Sequence, residues 1–148
     1  FMTFCALSSA KGMDIKMNRS ELREHIFRML FRIEFNREEE MKEQEDLYFE
    51  LIGGVDEQDK TYILNKYRAI VEKKEEIDKF LNEYTTGWKT SRMNRVDLTI
   101  LRLAVYEMKW DEEIPIGVAI NEAVELAKKY SSDEGPAFVN GVLAKLAE

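Results

Sequence analysis

The stretch MNRVDLTILRLAVYEMKW, residues 93–110, decides the fold. Its apolar residues recur at helical steps of three and four and cover more than one helix face: Val96, Ile100, Leu101, Leu103, Ala104, Val105 and Met108. A helix that is apolar on several faces is unfavourable in water unless other helices surround it. The stretch therefore predicts a central helix within a bundle.

Helical periodicity continues on both sides of this stretch, and no alternating strand pattern runs longer than a few residues. The predicted helices span residues 19–35, 39–52, 56–84, 93–110, 118–130 and 136–146. The Gly53-Gly54 pair is expected to end the second of them, and the third has room for a bend near residues 72–78. The predicted class is all-α.

The loop TTGWKTS, residues 85–91, is the predicted boundary between two helical halves. Residues 17–84 would form an N-terminal bundle and residues 85–148 a C-terminal bundle. The helical pattern starts only near Met17, so residues 1–16 are expected to be a non-native or disordered leader, with the natural start at Met17.

Composition narrows the class of protein. A chain of 148 residues that is 45% hydrophobic suits one compact domain or two closely packed helical halves. A single cysteine, Cys5, excludes an internal disulfide and favours a reducing cytoplasm. No apolar run approaches the roughly 20 residues that a membrane-spanning helix needs. We therefore expect a soluble, cytoplasmic protein without a membrane partner.

Charge is distributed unevenly along the chain. The formal net charge of −7 disfavours non-specific nucleic-acid binding. Residues 11–32 nevertheless carry a net +3, whereas residues 33–83 carry −8 and residues 84–148 carry −2. A basic N-terminal arm on an acidic body can orient a specific partner without general attraction to polyanions.

Catalytic chemistry has little support in the sequence. His25 is the only histidine, and scattered carboxylates around one histidine do not make a metal site. Gly53-Gly54 lacks the spacing of a phosphate-binding loop, and nothing near His25 supports a nucleophile. The predicted protein is not an enzyme and needs no metal or cofactor. Arg102, on the apolar helix, is expected to pair with a carboxylate.

A basic group stands at the start of the first predicted helix. Arg19 and Arg23 are four residues apart, so both point from one side of the first turns, and Lys16 precedes them. The helix N-terminus adds amide donors that suit phosphate. The alternative is an ordinary solvated helix face, which the neighbouring acids Glu21 and Glu24 favour.

Polar residues also interrupt the last two predicted helices. Asn121, Glu122 and Asn140 are expected to satisfy backbone groups where these helices meet, because a buried polar group without a partner is costly. Gly141 would allow close helix approach there. No nucleophile or histidine accompanies them, which predicts a structural joint rather than an active site.

The segments RVDLTILRLAVYEM (95–108), IPIGVAINEAVELAKKYS (114–131) and GPAFVNGVL (135–143) together resemble the C-terminal half of the bacterial transcription antitermination factor NusB. NRSELREHIFRMLFRIEF (18–35) resembles the first helix of that family. The resemblance implies two small helical bundles packed across each other. It also implies binding of single-stranded boxA RNA from ribosomal leader transcripts, together with the ribosomal protein NusE, within the RNA polymerase antitermination complex.

The resemblance also assigns residues to the RNA surface. Arg19 and Arg23, after Lys16, fall on the family's arginine-rich helix start, and Phe31 falls on an aromatic position near the RNA. Asp97, Tyr130 and Phe138 occupy positions associated with the same surface. Ser20, Glu21 and Leu22 separate the arginines that are often consecutive in the family. If those charges carry the RNA contact, this spacing predicts weaker RNA affinity alone or more reliance on the protein partner.

Two further expectations accompany this reading. The family includes homodimers, in which dimerisation could mask the RNA surface. The alternative function is a helical protein-interaction adaptor without RNA binding, whose working surface would be the acidic second helix.

Overall fold

The computed structural model describes residues 16–85 and 89–148 of the chain. Cys5 and residues 1–15 of the predicted leader lie outside these ranges, as do residues 86–88 of the predicted boundary loop. The described α-helices are α1 (Arg19–Arg32), α2 (Met41–Ile52), α3 (Glu57–Glu72), α4 (Lys74–Tyr84), α5 (Arg95–Trp110), α6 (Ile116–Tyr130) and α7 (Gly135–Leu146). Short 3-10 helices span Glu38–Glu40 and Thr90–Arg92. Within the described ranges there is no β-strand, which confirms the all-α prediction.

The chain divides into two compact units, and the first ends at Arg68. In it, α1 packs against α2. Large apolar side chains from α1, α2 and α3 are buried: Ile26, Met29, Leu30, Tyr48, Phe49, Ile52, Ile63 and Tyr67. Burial of each such side chain contributes about 1.5–3 kcal/mol relative to exposure. An ion pair of 2.7 Å between Arg68 and Glu45 links α3 to α2.

The second unit, Ala69–Glu148, has α5 at its centre. This helix packs against α4, α6 and α7, and every residue from Asp97 to Val105 is buried. The prediction of a surrounded apolar helix is therefore confirmed. Arg102 pairs with Asp78 of α4, as expected for a charge on such a helix.

The predicted helix over residues 56–84 is two helices that divide at Lys73. The backbone of Lys73 leaves helical geometry, with φ −94° and ψ 3°, and its amide donates to both Ala69 and Ile70. The compact units divide between Arg68 and Ala69, rather than at residues 85–91. The physical reason is that α4 packs against α5 and therefore belongs to the second unit.

The end of α2 matches its prediction. Gly53 and Gly54 have φ values of 58° and 61°, in the left-handed region that glycine adopts without a steric penalty. The amide of Gly53 donates to the carbonyl of Phe49, which closes the last turn. The first helix is shorter than predicted, since residues 33–35 form a turn after Arg32.

Candidate functional site

The candidate residues fall into two groups, one in each compact unit. The first group, at the start of α1, is built on a capping box. The side chain of Asn18 accepts a hydrogen bond of 2.9 Å from the Glu21 amide, and the Glu21 carboxylate accepts one of 3.0 Å from the Asn18 amide. The Glu21 amide is thus engaged within the chain. The helix start therefore offers phosphate fewer amide donors than predicted.

The segment before α1 is held by the start of α3. The amide of Met17 donates to the Asp59 carboxylate at 2.9 Å. The Lys16 ammonium donates to Gln58 and lies 3.4 Å from a carboxylate oxygen of Asp56. Lys16 is exposed. The nearby Asp56 carboxylate partly offsets its positive charge.

Arg19 and Arg23 differ in exposure, although their spacing predicts that both point from one side of α1. Arg19 is exposed, and its guanidinium carbon lies 5.9 Å from the centre of the Tyr62 ring. Arg23 exposes only 5% of its surface. A buried guanidinium is poorly placed to reach a phosphate, so the two arginines are not equivalent in the structure.

Phe31 lies in a row of three aromatic rings along α1 and the turn that follows it. Its ring is 6.1 Å from that of Phe27 and 5.0 Å from that of Phe35. Phe27 is buried, Phe31 is half-buried and Phe35 is 67% exposed. The row runs from the core to the surface, and Phe35 extends beyond the aromatic position that the sequence identified.

The second group lies at the corner between α6 and α7, where Asp97 of α5 is 5% exposed. The Ser131 hydroxyl donates to one Asp97 oxygen at 2.6 Å, and the Asn94 amide group donates to the other at 2.9 Å. Asn94 also caps α5 by accepting from the Asp97 amide at 2.8 Å. Both carboxylate oxygens therefore serve contacts within the chain.

Gly135, the first residue of α7, packs directly against this contact. A Cβ at Gly135 would lie 2.1 Å from the Ser131 oxygen, 2.5 Å from the Ser131 Cβ and 3.3 Å from an Asp97 oxygen. No larger residue fits without a shift of the corner. Ser131 and Gly135 are not among the site residues predicted from the sequence, because Ser131 meets Asp97 across 34 residues of sequence.

Tyr130 and Phe138 flank this corner and are half-buried. Tyr130 ends α6 immediately before Ser131, and Phe138 lies in the first turn of α7, three residues after Gly135. Two exposed cations neighbour residues of the corner in sequence. The Lys129 ammonium lies 5.6 Å from the centre of the Tyr130 ring, and Arg95 begins α5 two residues before Asp97. Asp97, Tyr130 and Phe138 thus lie at or beside one corner of the second unit, and their role toward RNA stays a prediction.

The predicted structural joint is in a different place. Asn121 and Asn140 are exposed, so burial does not require them to satisfy backbone groups, and Glu122 is half-buried. The prediction for Gly141 is wrong, because it is exposed and a Cβ there would meet no atom within 4 Å. The close approach in α7 occurs at Gly135 instead.

Other polar candidates have structural contacts. His25 shares a hydrogen bond with the Tyr48 hydroxyl, at a half-buried position. Arg28 pairs with Glu24 at 3.0 Å, and Arg32 donates to Gln44 at 2.8 Å. Among the described residues, no group of three or more His, Cys, Asp or Glu side chains could hold a metal ion. No helix in the described ranges is long and apolar enough to cross a membrane.

Comparisons with known proteins agree with the family resemblance of the segments in residues 18–35 and 95–143. The NusB family model matches residues 20–148. Transcription antitermination protein NusB of Agathobacter rectalis is 53% identical over 131 residues, which cover 88% of this chain and 100% of that protein. NusB of Lachnoclostridium phytofermentans is 48% identical over 132 residues, covering 89% and 100% of the two chains.

Solved structures agree as well. T. maritima NusB has a TM-score of 0.79 at 35% identity, over 90% of this chain and 92% of that chain. A crystal structure of antitermination factors NusB and NusE in complex with dsRNA has a TM-score of 0.70 at 26% identity, over 88% and 97% of the chains. From its sequence and its fold, this chain belongs to the NusB family.

Proposed function

We propose that this protein is an RNA-binding transcription antitermination factor, not an enzyme, and that it binds RNA together with a NusE-type ribosomal protein. The observation that carries the proposal is similarity over nearly the whole chain to NusB proteins, one of which is solved with NusE and dsRNA. Its RNA would be a boxA-type single strand in ribosomal leader transcripts, read in the cytoplasm within the RNA polymerase antitermination complex.

The exposure of the candidate RNA-binding residues supports different contacts for the cations and for the aromatic rings. Proteins hold single-stranded RNA by cations on phosphates and by aromatic rings on unpaired bases. Arg19 is the exposed cation of the first group, with Lys16 beside it. Tyr130 and Phe138 are the aromatic pair of the corner, and Phe31 of α1 with Phe35 of the following turn offers a second aromatic surface.

Arg23 would support the first group from beneath, and Asp97 would support the second group in the same way. Each exposes 5% of its area, and both oxygens of Asp97 accept hydrogen bonds from the chain. A buried charged group contributes through its internal contacts, and its removal is costly for the fold. We therefore propose that Arg23 shapes the first group and Asp97 the second, whereas Arg19 touches the RNA.

The protein partner would bind elsewhere, on α2. This helix exposes Leu47 and Leu51, one turn apart, beside the acidic side chains of Glu43, Asp46 and Glu50. Such a face repels RNA and suits a basic protein with an apolar contact patch. Replacing Leu47 and Leu51 together by alanine should weaken NusE binding and leave RNA binding by the protein alone unchanged.

A helical adaptor without RNA binding is the second candidate, and the exposed leucines of α2 are the observation that favours it. Titration of a boxA oligonucleotide against the protein, with and without the NusE-type ribosomal protein at several salt concentrations, distinguishes the two. We expect weak binding alone and tighter binding with the partner. Equal affinity in both cases contradicts the reliance on NusE, and no binding in either case favours the adaptor.

Mass measurement of the same mixtures gives the composition of the complex. We expect one copy each of this protein, NusE and RNA in the active complex. If the protein forms a homodimer on its own, RNA should convert it to the one-to-one-to-one species, since a dimer that masks the RNA surface competes with RNA.

A further inference from the structure

The corner between α6 and α7 contains a contact that the RNA-binding role does not by itself explain. Ser131 and Asp97 are 34 residues apart in sequence, and the hydroxyl of one donates to the carboxylate of the other at 2.6 Å. The contact joins the end of α6 to the first turn of α5. Hydrogen bonds to a charged acceptor are about twice as strong as neutral ones, so this one can fix the position of the α6 end.

Gly135 fixes the start of α7 against the same pair. Its missing side chain leaves just enough room for Ser131, since a Cβ would lie 2.5 Å from the Ser131 Cβ. The Gly135 amide also donates to the Ser132 carbonyl at 2.9 Å, which makes the turn tight. The end of α6 and the start of α7 are therefore set relative to α5 at one point.

The two aromatic residues of the corner depend on this point. Tyr130 is bonded directly to Ser131, and Phe138 is three residues beyond Gly135 in the first turn of α7. A shift of the turn would change the separation of their rings. Two stacking rings are useful to a nucleic-acid strand only at a separation that successive bases can match.

We propose that Asp97, Ser131 and Gly135 form a clamp that positions Tyr130 and Phe138 for RNA. The inference rests on the proposed RNA-binding function. It makes Ser131 and Gly135 positioning residues for RNA recognition, and it makes Asp97 act through the clamp rather than by contact with RNA.

The first test compares Ser131→Ala with Ser132→Ala. Ser132 is the exposed neighbour, so its variant is a matched control. Binding of a boxA oligonucleotide is measured with saturating NusE-type ribosomal protein, at a temperature where thermal denaturation shows every variant to be folded. We expect S131A to weaken binding about fivefold to tenfold, the equivalent of one net hydrogen bond, and S132A to bind like the unchanged protein.

The second measurement separates positioning from direct contact. S131A removes no cation, so the slope of affinity against salt should stay the same. The loss should also largely disappear in a Phe138→Ala background, because the clamp would then have one ring fewer to position. A changed salt slope, or an equal loss with and without Phe138, would overturn the clamp in favour of direct contact.

Variants of Asp97 test the same contact from its other partner, with Ser131 unchanged. Asp97→Asn keeps both contacts, since an amide can accept from Asn94 and donate to the Ser131 hydroxyl, whereas Asp97→Ala keeps neither. We expect D97N to retain most of the affinity and D97A to lose at least as much as S131A. Equal losses in D97N and D97A would point to a direct role of the charge and overturn the proposal.

The unchanged protein separates this inference from the proposed function. If it fails to bind RNA with the partner present, the proposed function is wrong. If it binds and S131A binds equally well, the function stands and the clamp is wrong.

Discussion

The guanidinium group of Arg102 holds the Asp78 carboxylate with two hydrogen bonds, each 2.8 Å long, one from Nε and one from a terminal nitrogen. The Arg102 side chain is 6% exposed and that of Asp78 is 22% exposed. This forked pair joins α5 to α4. It is the reason that a charge is tolerated on α5, where every residue from Asp97 to Val105 is buried.

Removal of one partner should leave a charge without compensation. We expect Arg102→Met to lower the free energy of unfolding by about 3 kcal/mol, measured by urea denaturation. Arg92→Met, at an exposed arginine, is the control and should change stability little. The double variant Arg102→Met with Asp78→Leu should be more stable than R102M alone, and a less stable double variant would contradict this account of the pair.

Local sequence patterns were sufficient to predict the parts of the fold that depend mainly on burial of apolar side chains and on simple local rules. The central helix, the end of α2 at Gly53-Gly54 and the carboxylate partner of Arg102 each followed from a local rule that the surroundings did not override. The break at Lys73 was visible only as a place for a bend. Whether a long apolar pattern bends or divides depends on which helices it packs against, and a sequence pattern does not contain that information.

The candidate sites were harder, because exposure is a tertiary property. Arg19 and Arg23 read alike in sequence, yet only one is exposed. Gly135 and Gly141 lie in one helix, and the close approach predicted at Gly141 occurs at Gly135. The Ser131–Asp97 contact joins segments 34 residues apart, and no local signal predicts such a pair.

Arg19 and Arg23 should therefore respond differently to replacement by alanine. Arg19→Ala should weaken RNA binding and lower the slope of log affinity against log salt by roughly one. Arg23→Ala should lower the free energy of unfolding, because it removes a buried side chain with internal contacts, and should leave the slope unchanged. Salt-titrated RNA binding and urea denaturation of both variants give the result. A reduced slope for R23A would show that Arg23 reaches a phosphate after all.

Tyr67 should make the fold sensitive to alkali. Burial, with a smaller contribution from the nearby Glu45 charge, raises the pKa of the Tyr67 hydroxyl from 10.0 to about 12, although Arg68 opposes the shift. Below pH 10 the tyrosine is neutral in both the folded and the unfolded chain, and its contribution to the free energy of unfolding is fully present. Between pH 10 and 12 the unfolded chain loses the proton first, so stability falls by up to about 1.4 kcal/mol per pH unit.

Tyr67→Phe isolates this contribution. The variant cannot ionise at that position, so its free energy of unfolding should decline less steeply than that of the unchanged protein above pH 10. Urea denaturation at intervals from pH 8 to 12 gives the two curves. Parallel curves over that window would mean that the hydroxyl ionises equally easily in the folded and unfolded chains.

Gly135 and Gly141 form a matched pair within α7, and the same substitution should have opposite effects at the two. Gly141→Ala adds a side chain at an exposed helical position with no atom within 4 Å, so it should stabilise the protein by about 0.5–1 kcal/mol. Gly135→Ala forces a Cβ to within 2.5 Å of the Ser131 Cβ and should destabilise it, by about 1–3 kcal/mol for an overpacked site.

A second substitution shows whether space is the cause. Ser131→Gly removes both atoms that the new Cβ would strike, so the S131G/G135A double variant should recover part of the stability that G135A loses. It should not recover RNA affinity, because the hydroxyl that donates to Asp97 is gone. Thermal denaturation and RNA titration of the single and double variants decide the matter: additive stability losses would exclude a steric origin, because relief of a clash requires the two changes to be coupled.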